Sequence, residues 1–204
     1  MVRKRQTLLS ALVLAGGILL ASVGTAWAGP PTEFIKENAK QVSHLLHEKE
    51  STRRQEKFTK KLHQVVDFRE LSSRALGEYW QKRTPEEQQQ FLDLLQQLLE
   101  ANYRKKLEGK TLGEDYQIKY LDEKTHEDMA IVKTDVVWKD GSKPVSYKLL
   151  KKKDGWVVFD IIIDDISLVE TYRDSYTAII KKEGWDSLIS RMKKKAAQIE
   201  AQKE

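Results

Sequence analysis

The spacing of apolar residues changes twice along this chain, and those changes narrow the folds open to it. Apolar positions recur every three or four residues up to about Leu107, alternate with polar ones from Tyr116, and return to helical spacing after Ser167. A helix is predicted from Thr32 to about Glu48, with Ile35, Ala39, Val42 and Leu46 on one face. Phe58, Leu62, Val65 and Val66 continue the pattern after a charged stretch. Asp67 can cap a short helix holding Phe68, Leu71 and Leu76 and closed by Gly77. The sharpest start is Thr84-Pro85-Glu86-Glu87. Thr84 can accept from the third helical amide, Pro85 suits the first helical position, and Glu87 can reach back. That helix runs to about Leu107, with Gly109 as its stop. Its apolar stripe (Phe91, Leu92, Leu94, Leu95, Leu98, Leu99, Tyr103) is wide, so it is buried deeply or lines something apolar.

In the middle block Tyr116, Ile118 and Tyr120 alternate with polar residues, as do Val132, Thr134, Val136 and Trp138, then Val145, Tyr147 and Leu149. Asp140-Gly141 and Asp154-Gly155 are hairpin signals, the second leading into Trp156–Ile163. A last helical block carries Leu168, Tyr172, Tyr176, Ile179 and Ile180, breaks at Gly184, and resumes with Trp185, Leu188, Ile189 and Met192. About four strands joined by tight turns, with helices segregated before and after, predict an α+β domain. A curved antiparallel sheet with helices over its concave side encloses an apolar pocket, a common ligand site.

The first 28 residues read differently. Arg3, Lys4 and Arg5 precede an apolar run from about Leu8 to Leu20, and Ala26-Trp27-Ala28 is a small-x-small cleavage site. The order is that of a secretory signal, predicting residues 1–28 as a cleaved leader and 29–204 as one exported domain in the periplasm. The apolar run is short for a membrane span, which needs about 20 apolar residues. The chain has 204 residues and no Cys, which excludes thiol chemistry, disulfides and the acylated-Cys anchor. The formal charge is +5, but without Arg3, Lys4 and Arg5 there are 33 basic residues against 31 acidic ones. Such a balance is no footprint of a nucleic-acid binder. Lys151-Lys152-Lys153 and Lys193-Lys194-Lys195 read as solvated faces, with contact to an anionic membrane surface or an acidic partner as the alternative.

Catalytic and metal signals are sparse. His44 and His47 stand three apart on a helix beside Glu48, with no third His ligand near in sequence, so no metal or other cofactor is expected. Asp160 interrupts the apolar strand and, by strict alternation, shares a face with Val158 and Ile162 rather than with Phe159 and Ile161. A carboxylate inside a cone-shaped sheet can act as a general base, which keeps an isomerase-like reading open. Asp160 on the outer face, or bonded to a neighbouring strand or helix, is the structural alternative. No phosphate loop, nucleophile elbow or Ser/His/Asp pattern occurs.

Two motifs resemble the MlaC family of periplasmic phospholipid-binding proteins, also called toluene-tolerance proteins. The first is Phe68-Arg-Glu-Leu-Ser-Ser-Arg-Ala-Leu-Gly77-Glu-Tyr-Trp80 followed by Thr84-Pro85-Glu86-Glu87-Gln88 and Phe91. The second runs Gly155-Trp156-Val-Val-Phe-Asp160-Ile-Ile-Ile-Asp-Asp-Ile166-Ser167-Leu168-Val169, then Tyr172-Arg173. The family usually has an acidic residue and Gly where this chain has Asp164-Asp165, which puts the local turn in question. The resemblance implies a fold like the nuclear-transport-factor-2 cone, with acyl chains in an apolar pocket and the headgroup near solvent. It implies two partners: an outer-membrane lipoprotein complex, and an inner-membrane ABC transporter carrying MCE-type lipid-binding domains. Such a carrier maintains outer-membrane lipid asymmetry.

For the pocket the expected residues are Phe68, Leu71, Leu76, Tyr79, Trp80, Phe91, Leu95, Leu98, Tyr103, Val132, Val136, Tyr147, Phe159, Ile161, Ile163 and Tyr172. Arg173 is the candidate for a headgroup phosphate or a structural ion pair. Leu95→Arg is expected to abolish lipid retention without blocking secretion. Beside the carrier stand two other readings: the isomerase-like enzyme, and an adaptor with a filled core and no useful pocket.

Overall fold

A computed structural model describes residues 29–49, 51–107 and 116–201; the leader predicted over 1–28 and Gly109 lie outside the described residues. The elements run α1 (Pro30–His47), α2 (Thr52–Val65), α3 (Phe68–Leu76), α4 (Glu78–Gln81) and α5 (Pro85–Leu107), then β1 (Gln117–His126), β2 (Met129–Trp138), β3 (Gly141–Lys152), β4 (Gly155–Ile163) and β5 (Ile166–Ser167), then α6 (Leu168–Glu183) and α7 (Trp185–Glu200). The fold is α+β, with one open sheet in the order β1-β2-β3-β4-β5 and every pair antiparallel.

The helix starts form as their residues dictate. Thr84 Oγ1 accepts from Glu87 N at 3.2 Å while Glu87 Oε2 accepts from Thr84 N at 2.9 Å, a reciprocal cap that satisfies two otherwise orphan donors. Asp67 Oδ1 accepts from Glu70 N at 2.8 Å and starts α3; Gly77, at φ 55°, ends it. Gly184 separates α6 from α7.

Apolar residues gather in two places. The larger core is helical: Leu76, Trp80, Phe91, Leu95, Leu98, Tyr176 and Leu188 interlock where α3 to α7 meet. Phe91 meets Tyr176 edge-on, with ring centres 5.6 Å apart, a favoured aromatic geometry. Burial pushes the Tyr176 phenol far above its ordinary range, and neighbouring Tyr172 adds to the effect. The smaller core lies on one sheet face, where Ile35 of α1 packs on Ala130, Val132, Leu149 and Val158.

β5 is the strand that the sequence does not announce. It pairs with β4 through Ile163↔Ile166 around a two-residue turn, Asp164-Asp165, with φ of 50° and 64°. Positive φ at both central residues marks the hairpin turn that favours Asn-Gly. Asp tolerates the left-handed region better than most side chains but still at a cost. Lys143 pairs with Asp164 and holds the turn from β3. Replacing Asp165 by Gly should therefore stabilise the protein by about 0.5–1 kcal/mol after glycine's own entropy is charged. A rise in the urea midpoint at constant slope is the expected readout; a lower midpoint would show the turn to be unstrained.

Candidate functional site

α1 and α2 form a hairpin that touches the sheet at one end and stands off it at the other. At the near end Ile35 and Val65 pack against the sheet core. Val66 bridges to Val158, and Asp67 N donates to the Val158 carbonyl at 2.9 Å. Toward the turn joining β2 and β3, the helices leave a cavity of about 800 Å³. Its helical wall is Ala39, Val42 and Leu46 of α1 with Phe58 and Leu62 of α2, residues spaced three or four apart on facing stripes. Its sheet wall is Tyr116, Ile118, Val136, Trp138, Val145, Tyr147, Ile161 and Ile163.

The volume lies within the ordinary range for ligand pockets, roughly 300–1,000 Å³. Polar groups are few. Lys61 Nζ donates to Asn38 Oδ1 at 3.0 Å across the helix pair, and Lys139 lies toward the β2–β3 turn. No carboxylate is among the described residues that line it. Such a wall offers volume and dryness. Among the described residues that line it, the charged groups are Lys61 and Lys139.

The residues expected at the site separate into groups. Val136, Tyr147, Ile161 and Ile163 are on the cavity wall. Val132 lies buried in the sheet core and not on the wall. Phe68, Leu71 and Phe159 border a void of only about 20 Å³ between α3 and β4. Leu76, Trp80, Phe91, Leu95 and Leu98 are in the filled helical core, with Tyr79 and Tyr172 packed against it. Tyr103 falls on α5, and its side chain lies outside the described residues. Arg173 is exposed, and its Nε donates to the Arg74 carbonyl at 2.9 Å, tying α6 to α3 away from the cavity.

Sequence reasoning did not assign the α1–α2 face to the pocket. Ile35, Ala39, Val42, Leu46, Phe58 and Leu62 are legible as helical stripes, but a stripe alone does not say whether it meets side chains or space. Ala39 carried the one available hint, since a small residue in the middle of an apolar stripe leaves room.

Asp160 corrects a second expectation. Lys148 pairs with Asp160 but Leu149 pairs with Val158, so β4 carries an extra residue at Phe159. This bulge turns Val158 onto the face of Ile161 and Ile163 and leaves Asp160 on the opposite side, now with Phe159. There Asp160 is 1% exposed. It accepts from Ser167 Oγ at 2.7 Å and Val169 N at 3.1 Å, with Lys148 Nζ at 3.2 Å. The carboxylate anchors the start of α6, whose own cap is Ser167. Phe159 faces the same helices, under the Arg74 guanidinium at 4.2 Å. Asp160 therefore cannot serve as a base in the cavity. His44 and His47 are exposed on α1, and the described residues hold no group of three side chains suited to a metal.

Comparisons with known proteins agree with this architecture. A curated relative, the intermembrane phospholipid transport system binding protein MlaC of Haemophilus influenzae, is 23% identical over 137 residues. The aligned stretch spans 65% of this chain and 64% of that protein, just under two thirds of the relative's length. A solved structure, the phospholipid-binding protein from Ralstonia solanacearum in complex with a phospholipid, has the same fold, with a TM-score of 0.68 at 24% identity. The superposition covers 82% of this chain and 97% of that one. The family model described as MlaC protein matches residues 36–194, from the first cavity helix to the last core helix, and the chain belongs to the MlaC family.

Proposed function

We propose that this protein binds phospholipid in the cavity between α1, α2 and the sheet and carries it across the periplasm. The observation that carries this reading is the 800 Å³ apolar cavity with no lining carboxylate among the described residues. The adaptor reading expected no cavity of useful volume. The enzyme reading needed Asp160 inside it. The curated relative is named for phospholipid transport, and the solved relative is in complex with a phospholipid, which supports the same choice of cargo.

Burying acyl chains is worth about 0.8 kcal/mol per methylene, so two sixteen-carbon chains gain roughly 20 kcal/mol over water. Release into bulk water is then extremely slow, and lipid must pass within a docked complex. The partners implied by the family are an inner-membrane ABC transporter with MCE-type domains and an outer-membrane lipoprotein complex. Shuttling between them would maintain lipid asymmetry of the outer membrane. Export follows the leader over residues 1–28, and no described helix is long and apolar enough to cross a membrane.

Native mass spectrometry of the secreted protein, with lipid extraction alongside, tests the proposal. A stoichiometric phospholipid adduct is expected. A bare mass that stays bare after incubation with liposomes would sink the carrier reading.

A further inference from the structure

We infer that hydrolysis between Ala28 and Gly29 does more than release the leader: it creates an ammonium that ion-pairs with Glu123 and locks α1, one wall of the cavity, onto β1. The inference rests on the export reading and is independent of what the cavity holds.

Glu123 comes from β1, 91 residues beyond Thr32, whose backbone N–H it receives on Oε2 at 2.8 Å. Its other oxygen lies against Gly29: a Cβ built there would fall 2.0 Å from Oε1. With covalent bonds of about 1.5 Å, Oε1 is then within about 3.5 Å of the Gly29 Cα and within about 5 Å of its nitrogen. Gly29 is the cap residue of α1 and has no side chain with which to cap it. Its carbonyl already accepts from Glu33 N at 3.0 Å, and Glu33 is itself paired with Lys36 at 2.8 Å. Glu123 is half-buried, and among the described residues no side-chain cation reaches it. Among the described residues it is an anion without a side-chain cation, and any side chain at position 29 would have to push its carboxylate aside.

The cut supplies that cation. Water adds its oxygen to the Ala28 carbonyl carbon under an endopeptidase of the export route. The C–N bond breaks, and the Gly29 nitrogen leaves as an amine that takes up a proton at neutral pH. An ammonium alone is the wrong charge for a helix N-terminus, where the backbone dipoles already sum to a partial positive charge. The Glu123 carboxylate answers both: one oxygen serves the Thr32 amide, the other the new terminus. A residue larger than glycine after the cut would displace the carboxylate and lose the anchor.

Two measurements test the inference. The intact mass of the chain collected after export should correspond to a start at Gly29; a start elsewhere overturns the assignment. Chains beginning at Gly29 and at Trp27 are then compared, each with Glu123 and with Glu123→Gln, an isosteric change that keeps an acceptor for Thr32. Glu123→Gln should lower Tm by roughly 3 °C more in the Gly29 chain than in the Trp27 chain. Equal drops would show that Glu123 only caps the helix. Should a variant fold poorly, amide exchange in the unsubstituted chains decides. Thr32 to Ile35 should exchange more slowly in the Gly29 chain, and equal protection overturns the ion pair.

Discussion

Ala39→Trp should empty the protein of lipid while leaving it folded. Ala39 sits in the middle of the α1 stripe that faces the cavity and is the smallest side chain on that wall. An indole there projects into existing space, so it does not overpack a filled core. If the ring excludes about five methylenes of cargo, the lost burial at about 0.8 kcal/mol each comes to about 4 kcal/mol. That is near a thousandfold in affinity. The matching control is Gln41→Trp, on the exposed face of the same helix. The control should retain lipid at the unsubstituted level and Ala39→Trp only traces, read as phospholipid per protein by mass spectrometry and by uptake of fluorescent phospholipid from vesicles. Full lipid content in folded Ala39→Trp would move the binding site out of this cavity.

The contrast between what was and was not readable follows from what periodicity encodes. The change of period at Tyr116, the cap at Thr84, the cap at Asp67 and the break at Gly184 are local signals, and each became the expected element boundary. The Glu127-Asp128 turn joining β1 to β2 carries no glycine, although Glu127 takes φ 52°, so nothing in the sequence marks it. The bulge at Phe159 is equally silent, because Trp156–Ile163 is apolar enough to suit either register. One extra residue there separates Asp160 from Val158 and sets it beside Phe159.

The cavity was the least legible feature, for a related reason. The stripe of α5 is wider than those of α1 and α2, and breadth argues for deep burial or for a ligand with equal force. The structure settles this through partners. Leu94, Leu95, Leu98 and Leu99 of α5 have α3, α6 and α7 around them, and their space is filled. α1 and α2 lean on the sheet near Ile35 and Val65, and among the described residues nothing fills the gap beyond. No pattern within one helix reports the distance to its neighbour.

That division gives the second large effect, at Phe91. Its ring is fully buried among α5, α6 and α7, edge-on to Tyr176 and tilted against Trp185 with ring centres 6.0 Å apart. Truncation to Ala removes the transfer energy of the ring and leaves a hole in a packed region, at a cost of about 4 kcal/mol. Domains have only about 5–15 kcal/mol in total. For a mature chain of this size Tm should fall by about 12 °C. Yet the fraction that remains folded should carry phospholipid at full stoichiometry, because Phe91 and its ring partners Tyr176 and Trp185 do not line the cavity. Leu95→Arg falls under the same argument, and the expected result differs from the sequence expectation. Leu95 is fully buried in that core, so an arginine there puts an unpaired charge in apolar surroundings and prevents folding instead of producing a secreted, lipid-free protein. The decisive comparison is thermal unfolding set beside lipid content. Phe91→Ala should lose stability and keep cargo, whereas Ala39→Trp should keep stability and lose cargo. A Phe91→Ala protein that stayed stable but came out bare would place the cargo among α5, α6 and α7 and return Phe91 and Leu95 to the pocket.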